Sequence, residues 1–129
     1  MKRIIETDDA PAAVGAYSQA AGNDSLLFTA GQIPMTADGN LLDDDPIENQ
    51  TEQALYNLDA VLDEAGASAE DILKVSVFLE DINDFDAMNE AYADYFDDQP
   101  PARSAVEVSA LPKGVAVEIE AIASLEDEA

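Results

Sequence analysis

Two runs near the C-terminal end constrain the fold of this chain more than any other feature. Residues 100–108 and 115–123 both alternate in polarity and are rich in β-branched residues, which is typical of strands. Residues 111–114 between them supply the proline and the glycine that end one strand and let the chain reverse. The sequence therefore predicts a terminal β-hairpin.

The side-chain alternation of this hairpin predicts a polar cluster. Arg103 and Ala105 share one face of the first run, and Glu118 and Glu120 share one face of the second. With the turn centred on residues 111–112, Ala105 is expected opposite Glu118, and Arg103 opposite Glu120. One guanidinium and two carboxylates would then meet on a surface that can hold a small charged substrate.

The rest of the chain alternates between strand-like and helix-like patterns. Short apolar runs bounded by turn residues predict strands, and apolar residues spaced by three and four predict helices. The expected elements are a strand over 2–6, a hairpin over 14–21 and 25–34, a helix over 46–65, a central strand over 72–80 and a helix from about 83 to 96. The 129 residues are most simply one domain, 1–129. We expect an α+β fold, with two helices on one face of a mixed, mainly antiparallel sheet of five or six strands.

The first helix carries start and stop signals. Asp45 is expected as its N-cap, Pro46 as its first residue and Glu48 as the partner in a capping box. Gly66 is expected just beyond its C-terminal end. The acidic run over 43–45 resembles a cation ligand cluster, but it lacks further oxygen ligands at calcium-loop spacing, so solvated surface charge is favoured.

Two further residues are candidates for ligand contact. Gly31 ends an apolar strand, where the main chain can come close to a ligand, although a bulge without a ligand fits the pattern equally well. Asn89 lies within the apolar stripe of the second helix, so its amide must find partners. A satisfied core or interface asparagine is the more common case, and a ligand contact is the alternative.

The composition excludes several kinds of chemistry. The chain has no cysteine and no histidine, which excludes disulfides, thiolate or imidazole catalysis and the common zinc sites. The sequence has no signal-peptide pattern and no apolar run of membrane-spanning length, so we expect a cytoplasmic protein without a membrane partner.

The net charge of −24 is extreme for this length. Molar salt shortens the Debye length to about 3 Å and removes most of the self-repulsion. We therefore expect a protein of a salt-loaded cytosol, with an acidic mesophilic protein as the alternative. Nucleic acid is an improbable partner in either case, because phosphate binding depends on clustered lysine and arginine.

Taken in order, several segments resemble the RidA (YjgF) family of reactive-intermediate imine deaminases. The matching segments are 10–19, 29–34, 53–66, 75–85, 89–92, 101–108 and 118–123. The resemblance implies a chorismate-mutase-like (YjgF-like) fold that assembles as a homotrimer with sites in the clefts between subunits. It also implies hydrolysis of enamines and imines, such as 2-aminoacrylate released by dehydratases, to 2-oxo acids and ammonia, without a cofactor.

The same resemblance implies roles for particular residues. Arg103 matches the arginine that binds the substrate carboxylate, and Glu118 matches the acid that positions water and transfers protons. Tyr17, Gly31 and Asn89 match other positions that line the site.

At two positions the chain departs from many relatives. Ala30 stands where they often have serine, and Ala105 stands where they often have cysteine. Main-chain N–H and C=O groups are therefore the expected contacts of the substrate near Ala105.

Two other functions are compatible with the resemblance. One is a regulatory trimer that binds 2-oxo acids through the same arginine without catalysis. The other is an RNA-directed activity, which conflicts with the acidic charge.

Overall fold

The computed structural model describes residues 1–96 and 98–125. Within these residues, one sheet is built from six strands in the spatial order β1-β2-β3-β6-β4-β5. The strands are β1 (Arg3–Ile5), β2 (Ala20–Gly22), β3 (Leu26–Thr29), β4 (Ile72–Leu79), β5 (Ala102–Glu107) and β6 (Val117–Ser124). Helix α1 (Ile47–Glu64) packs against β6 and against helix α2 (Phe85–Tyr95). The predicted α+β fold is confirmed, with six strands and two helices on the sheet.

One face of the sheet forms the core together with the helices. Strand β6 is buried at every second residue, from Val117 to Ala123. Helix α1 contributes Leu58 and Leu62, which are fully buried in the same cluster. Burial of such side chains stabilises the fold by about 1.5–3 kcal/mol each. Neither helix of the described residues is long and apolar enough to cross a membrane.

The C-terminal end of α1 agrees with its sequence signals, and the N-terminal end does not. Gly66 has a φ of +82°, and its N–H donates to Asp63 O at 3.0 Å. The following N–H of Ala67 donates to Leu62 O at 2.9 Å, which completes a Schellman motif. The expected capping box is wrong, because the helix begins at Ile47 and no side chain caps its first turn.

The predicted terminal hairpin is also wrong. Strand β5 pairs in parallel with β4, and β6 pairs antiparallel with both β3 and β4. Strand β4 therefore lies between the two strands that were expected to be neighbours. The physical reason is the strand–helix–strand order of β4, α2 and β5, because a helical crossover returns the chain parallel to the strand before it.

This topology places Arg103 and Glu118 on opposite faces of the sheet. Arg103 is aligned with the buried Val75 of β4, so its side chain is on the face that the helices cover. Glu118 is aligned with Phe78, on the other face. The expected meeting of Arg103 with two carboxylates does not occur, although Glu118 and Glu120 do share a face.

The second face of the sheet is covered by neither helix. We call it the open face, and it carries apolar, acidic and small polar side chains together with Lys74: Ile4, Phe28, Ile122, Lys74, Ser76, Phe78, Ser104, Val106, Glu118 and Glu120. The large apolar side chains Ile4, Phe28 and Val106 are about half exposed. Exposed apolar side chains on a sheet face that no helix covers are typical of an interaction surface.

Candidate functional site

Arg103 lies on the edge strand β5, beside helix α2. Its Nη1 donates to Asn89 Oδ1 at 2.7 Å. Its Cζ lies 4.6 Å from the ring centroid of Tyr92 and 5.3 Å from that of Phe85. All three neighbours are uncharged, so these contacts orient the guanidinium without neutralising it. A guanidinium has five N–H donors, and the bond to Asn89 uses one of those of Arg103.

A cavity of about 350 Å³ opens beside this arginine. We call it the Arg103 cavity, and its lining consists of Asn89, Tyr92, Ala93, Phe96, Pro100, Pro101 and Arg103. The Tyr92 hydroxyl is buried and makes no hydrogen bond with any described residue. Burial raises the pKa of Tyr92, and the nearby charge of Arg103 opposes this rise only in part. The cavity thus offers one fixed cation within largely apolar walls.

Glu118 lies in a separate groove of about 330 Å³ on the other side of the sheet. We call it the Glu118 groove, and its lining consists of Pro11, Ala12, Val14, Tyr17, Gln19, Gly31, Gln32, Ile33, Met35, Pro112, Lys113 and Glu118. Burial raises the pKa of Glu118, and the negative charge of Glu120 raises it further. A raised pKa makes a carboxyl group better suited to general acid–base catalysis.

Gly31 approaches the Glu118 carboxylate closely. A Cβ atom added at Gly31 would lie 2.7 Å from Glu118 Cδ and 2.9 Å from Cγ, and it would also collide with Oε2. Any larger residue at this position therefore displaces the carboxylate. The main chain around Gly31 is held on both sides, since Ala30 N donates to Gln19 O and Gln32 N donates to Ile119 O, each at 2.8 Å.

Tyr17 lies on the loop between β1 and β2 and forms part of the groove wall. Its side chain is 56% exposed, and its hydroxyl accepts a hydrogen bond from Val14 N at 3.4 Å. The segment over 14–21 was expected to be a strand, but only Ala20 and the two residues after it are extended. Gly15, with a φ of +115°, lies in the irregular part.

The structure divides the candidate residues into two groups. Tyr17, Gly31 and Glu118 line the Glu118 groove, whereas Asn89 and Arg103 line the Arg103 cavity. Ala105 lines neither and packs against the core on the helix-covered face of β5. A small substrate cannot contact both groups within one subunit, because the sheet lies between them.

Asn89 Oδ1 accepts the hydrogen bond from Arg103, and the Asn89 side chain is exposed in the single chain. Sequence reasoning did not identify Lys113, which lies in the Glu118 groove with a φ of +59°. The proline before it and the glycine after it suggested a turn, but not that the turn borders the groove.

The described residues contain no cluster of three or more acidic or metal-ligating side chains that could hold a metal ion. Asp43, Asp44 and Asp45 are exposed to solvent, in agreement with their interpretation as surface charge.

Comparison with known proteins places the chain in a family. The model of the family described as Endoribonuclease L-PSP matches residues 7–125. The chain belongs to this family, the RidA (YjgF) family. Its members carry different names, since a relative from Lactococcus lactis is called a putative regulator and one from Rattus norvegicus a deaminase.

Three similar proteins show how far the likeness extends. The 2-iminobutanoate/2-iminopropanoate deaminase of Rattus norvegicus is 45% identical over 123 residues, which are 95% of this chain and 90% of the rat protein. The structure of YyfA, a Rid family protein from Yersinia pestis, has 51% identity and a TM-score of 0.92, covering 96% of this chain and 99% of that one. The structure of Escherichia coli TdcF with bound serine has 43% identity and a TM-score of 0.90, covering 95% and 98% of the two chains.

Proposed function

We propose that this protein hydrolyses reactive 2-imino acids and their enamine tautomers, such as 2-aminoacrylate, to 2-oxo acids and ammonia. The observation that carries the proposal is an arginine whose guanidinium contacts neutral groups within residues 1–96 and 98–125 of a strongly acidic chain. The deaminase name of the rat relative supports the same chemistry.

Arg103 is the proposed anchor of the substrate carboxylate. Its planar fork can donate two parallel hydrogen bonds to a carboxylate, which fixes a small 2-imino acid in one orientation. Asn89 and the two rings hold the guanidinium in place before the substrate arrives. Ala105 would contribute main-chain groups, since β5 is an edge strand whose outward N–H and C=O groups have no partner in the sheet.

Glu118 is the proposed general acid and base. As a carboxylate it accepts a proton from water while the water oxygen bonds to the imine carbon, and it then gives that proton to the imine nitrogen, which forms a tetrahedral adduct with one hydroxyl and one amino group. Glu118 next accepts the hydroxyl proton and passes it to the amino nitrogen, so that the C–N bond breaks, ammonia leaves and the carbonyl of the 2-oxo acid forms. Proton transfer by a positioned side chain contributes about 10²- to 10⁴-fold in rate. This route needs neither a thiol nor a cofactor.

The site requires a second copy of the chain. Arg103 and Glu118 lie on opposite faces of one sheet, so we propose a homotrimer in which the Arg103 cavity of one subunit faces the Glu118 groove of the next. The open face, with Ile4, Phe28 and Val106 half exposed, is the proposed contact surface. Tyr17 and Asn89, both exposed in the single chain, would then border the cleft between subunits.

Trimer formation is expected to depend on salt. Assembly brings together copies that each carry a charge of −24, and only high ionic strength screens their repulsion. We expect the mass of a trimer in molar KCl and progressive dissociation as KCl is removed, measured by light scattering. A trimer that persists unchanged at low salt would show that the acidic surface is no adaptation to a salt-loaded cytoplasm.

The direct test is an assay in molar KCl with 2-aminoacrylate generated by a dehydratase. We expect release of 2-oxo acid and ammonia above the spontaneous rate, and in proportion to the protein added. Binding of 2-oxo acids without any added rate would instead support the regulatory trimer. RNA hydrolysis is not expected, because the net charge of −24 repels phosphates.

A further inference from the structure

Three buried amide side chains form hydrogen bonds with segments that border the Glu118 groove. Gln19 is 3% exposed, Gln50 is 2% exposed and Asn57 is fully buried. Each of them forms hydrogen bonds with main-chain groups of an irregular segment that is distant in the sequence. Buried amides are costly unless they are paired, so each of these bonds restrains the segment that it reaches.

Asn57 restrains the wall of the groove that follows Gly31. Its Nδ2 donates to Ile33 O at 3.0 Å and to Met35 O at 2.8 Å. Its Oδ1 accepts from Gln53 Nε2 at 2.9 Å, which fixes the orientation of the amide. Ile33 and Met35 both line the groove.

Gln50 restrains the segment between Lys113 and Glu118, which both line the groove. Its Oε1 accepts from Ala116 N at 2.9 Å, two residues before Glu118. Its Nε2 donates to Asp45 O at 2.9 Å and to Asp43 O at 3.3 Å, so the same side chain also holds the segment before α1. The main chain is thus held in place between the turn that carries Lys113 and the start of strand β6.

Gln19 restrains the loop that carries Tyr17. Its Nε2 donates to Pro11 O at 2.8 Å and to Thr7 O at 3.1 Å, and its Oε1 accepts from Thr7 N at 2.7 Å. Its own carbonyl accepts from Ala30 N at 2.8 Å, next to Gly31. The loop and the end of β3 are therefore held by one residue.

We propose that Gln19, Gln50 and Asn57 are positioning residues that set the width of the Glu118 groove and so the placement of the Glu118 carboxylate. This inference rests on the proposed function of Glu118. The carboxylate already lies so close to Gly31 that a Cβ atom would not fit between them. Small movements of either wall therefore change the contacts and hydration of the reacting group, and misplacement by about 1 Å can cost a hundredfold in rate.

The test compares two buried polar residues of helix α1. Asn57→Leu removes the bonds to the groove wall, and Thr51→Val is the matched control, because Thr51 is also fully buried but donates only to Ile47 O of its own helix, at 2.8 Å. We expect Asn57→Leu to lower kcat about tenfold to hundredfold with little change in KM. We expect Thr51→Val to change the unfolding temperature but neither kinetic constant.

A second measurement separates positioning from folding and needs no activity. Carbon-13 NMR of the labelled carboxyl groups follows the titration of Glu118. In Asn57→Leu, we expect the titration midpoint of Glu118 to move to lower pH because water enters the widened groove. In Thr51→Val, we expect this midpoint to stay unchanged. An unmoved midpoint in Asn57→Leu, or an equal movement in Thr51→Val, would overturn the inference. Asn57→Ser, which keeps one donor, replaces the leucine variant in both measurements if that variant does not fold. A wild-type protein without deaminase activity would contradict the proposed function, while the titration would still decide this inference.

Discussion

Replacing Arg103 with alanine is expected to lower kcat/KM for 2-aminoacrylate about a hundredfold or more. The substrate carboxylate loses a charge-assisted bidentate contact, and a hundredfold loss corresponds to about 2.7 kcal/mol of transition-state binding. Asn89 cannot take over this role, because it presents its Oδ1 to the guanidinium and carries no charge. The measurement is the rate of 2-oxo acid release in molar KCl, with the substrate generated in the cuvette.

Two variants control for charge and for shape. Arg3→Ala removes the same charge from β1, at the opposite edge of the sheet, and is expected to keep full activity. Arg103→Lys is expected to be intermediate at best, because an ammonium cannot reproduce the fork of the guanidinium. Full activity in Arg103→Ala would show that the carboxylate anchor lies elsewhere, and Lys113 in the Glu118 groove would become the next candidate.

Most elements of the fold could be predicted from the sequence because their signals are local. The glycine at 66 ends α1 through bonds to residues within one turn, and the apolar run of β4 is long enough to be recognised by itself. Which strands pair with each other in the sheet is not determined by the local sequence. Strands β5 and β6 are consecutive in the chain, but β6 bonds to β3 and β4, and the crossover through α2 takes β5 to the far edge.

The same contrast between local signals and long-range strand pairing explains why only part of the site geometry was predicted correctly. Arg103 and Asn89 are 14 residues apart and meet because β5 follows α2 directly, whereas the placement of Glu118 depends on three strands from distant parts of the chain. Strand alternation placed Glu118 and Glu120 on one face correctly. The error was the assumption that Arg103 faces them, and it followed from the wrong strand pairing.

Replacing Glu118 with glutamine is expected to lower kcat about a hundredfold or more while most of the affinity for 2-oxo acids remains. The amide keeps the shape of the side chain beside Gly31, but it cannot exchange a proton with water or with the leaving ammonia. Stopped-flow or coupled assays give kcat, and calorimetry with a 2-oxo acid gives the affinity. An active glutamine variant would exclude proton transfer by this residue.

The same substitution is expected to stabilise the folded protein at neutral pH. Burial and the charge of Glu120 raise the folded-state pKa of Glu118, so the folded chain binds a proton there more tightly than the unfolded chain does. The contribution of this group to stability is therefore most favourable below its unfolded pKa, and it is lost as pH rises through the higher folded pKa. Glutamine does not ionise, so the variant does not lose stability in this way as pH rises. The thermal unfolding midpoint of Glu118→Gln should therefore exceed that of the wild type near pH 7, and the difference should disappear at acidic pH. Replacing a residue whose role is structural would destabilise the folded protein. Replacing a residue that is retained for proton transfer at the expense of stability should instead stabilise it.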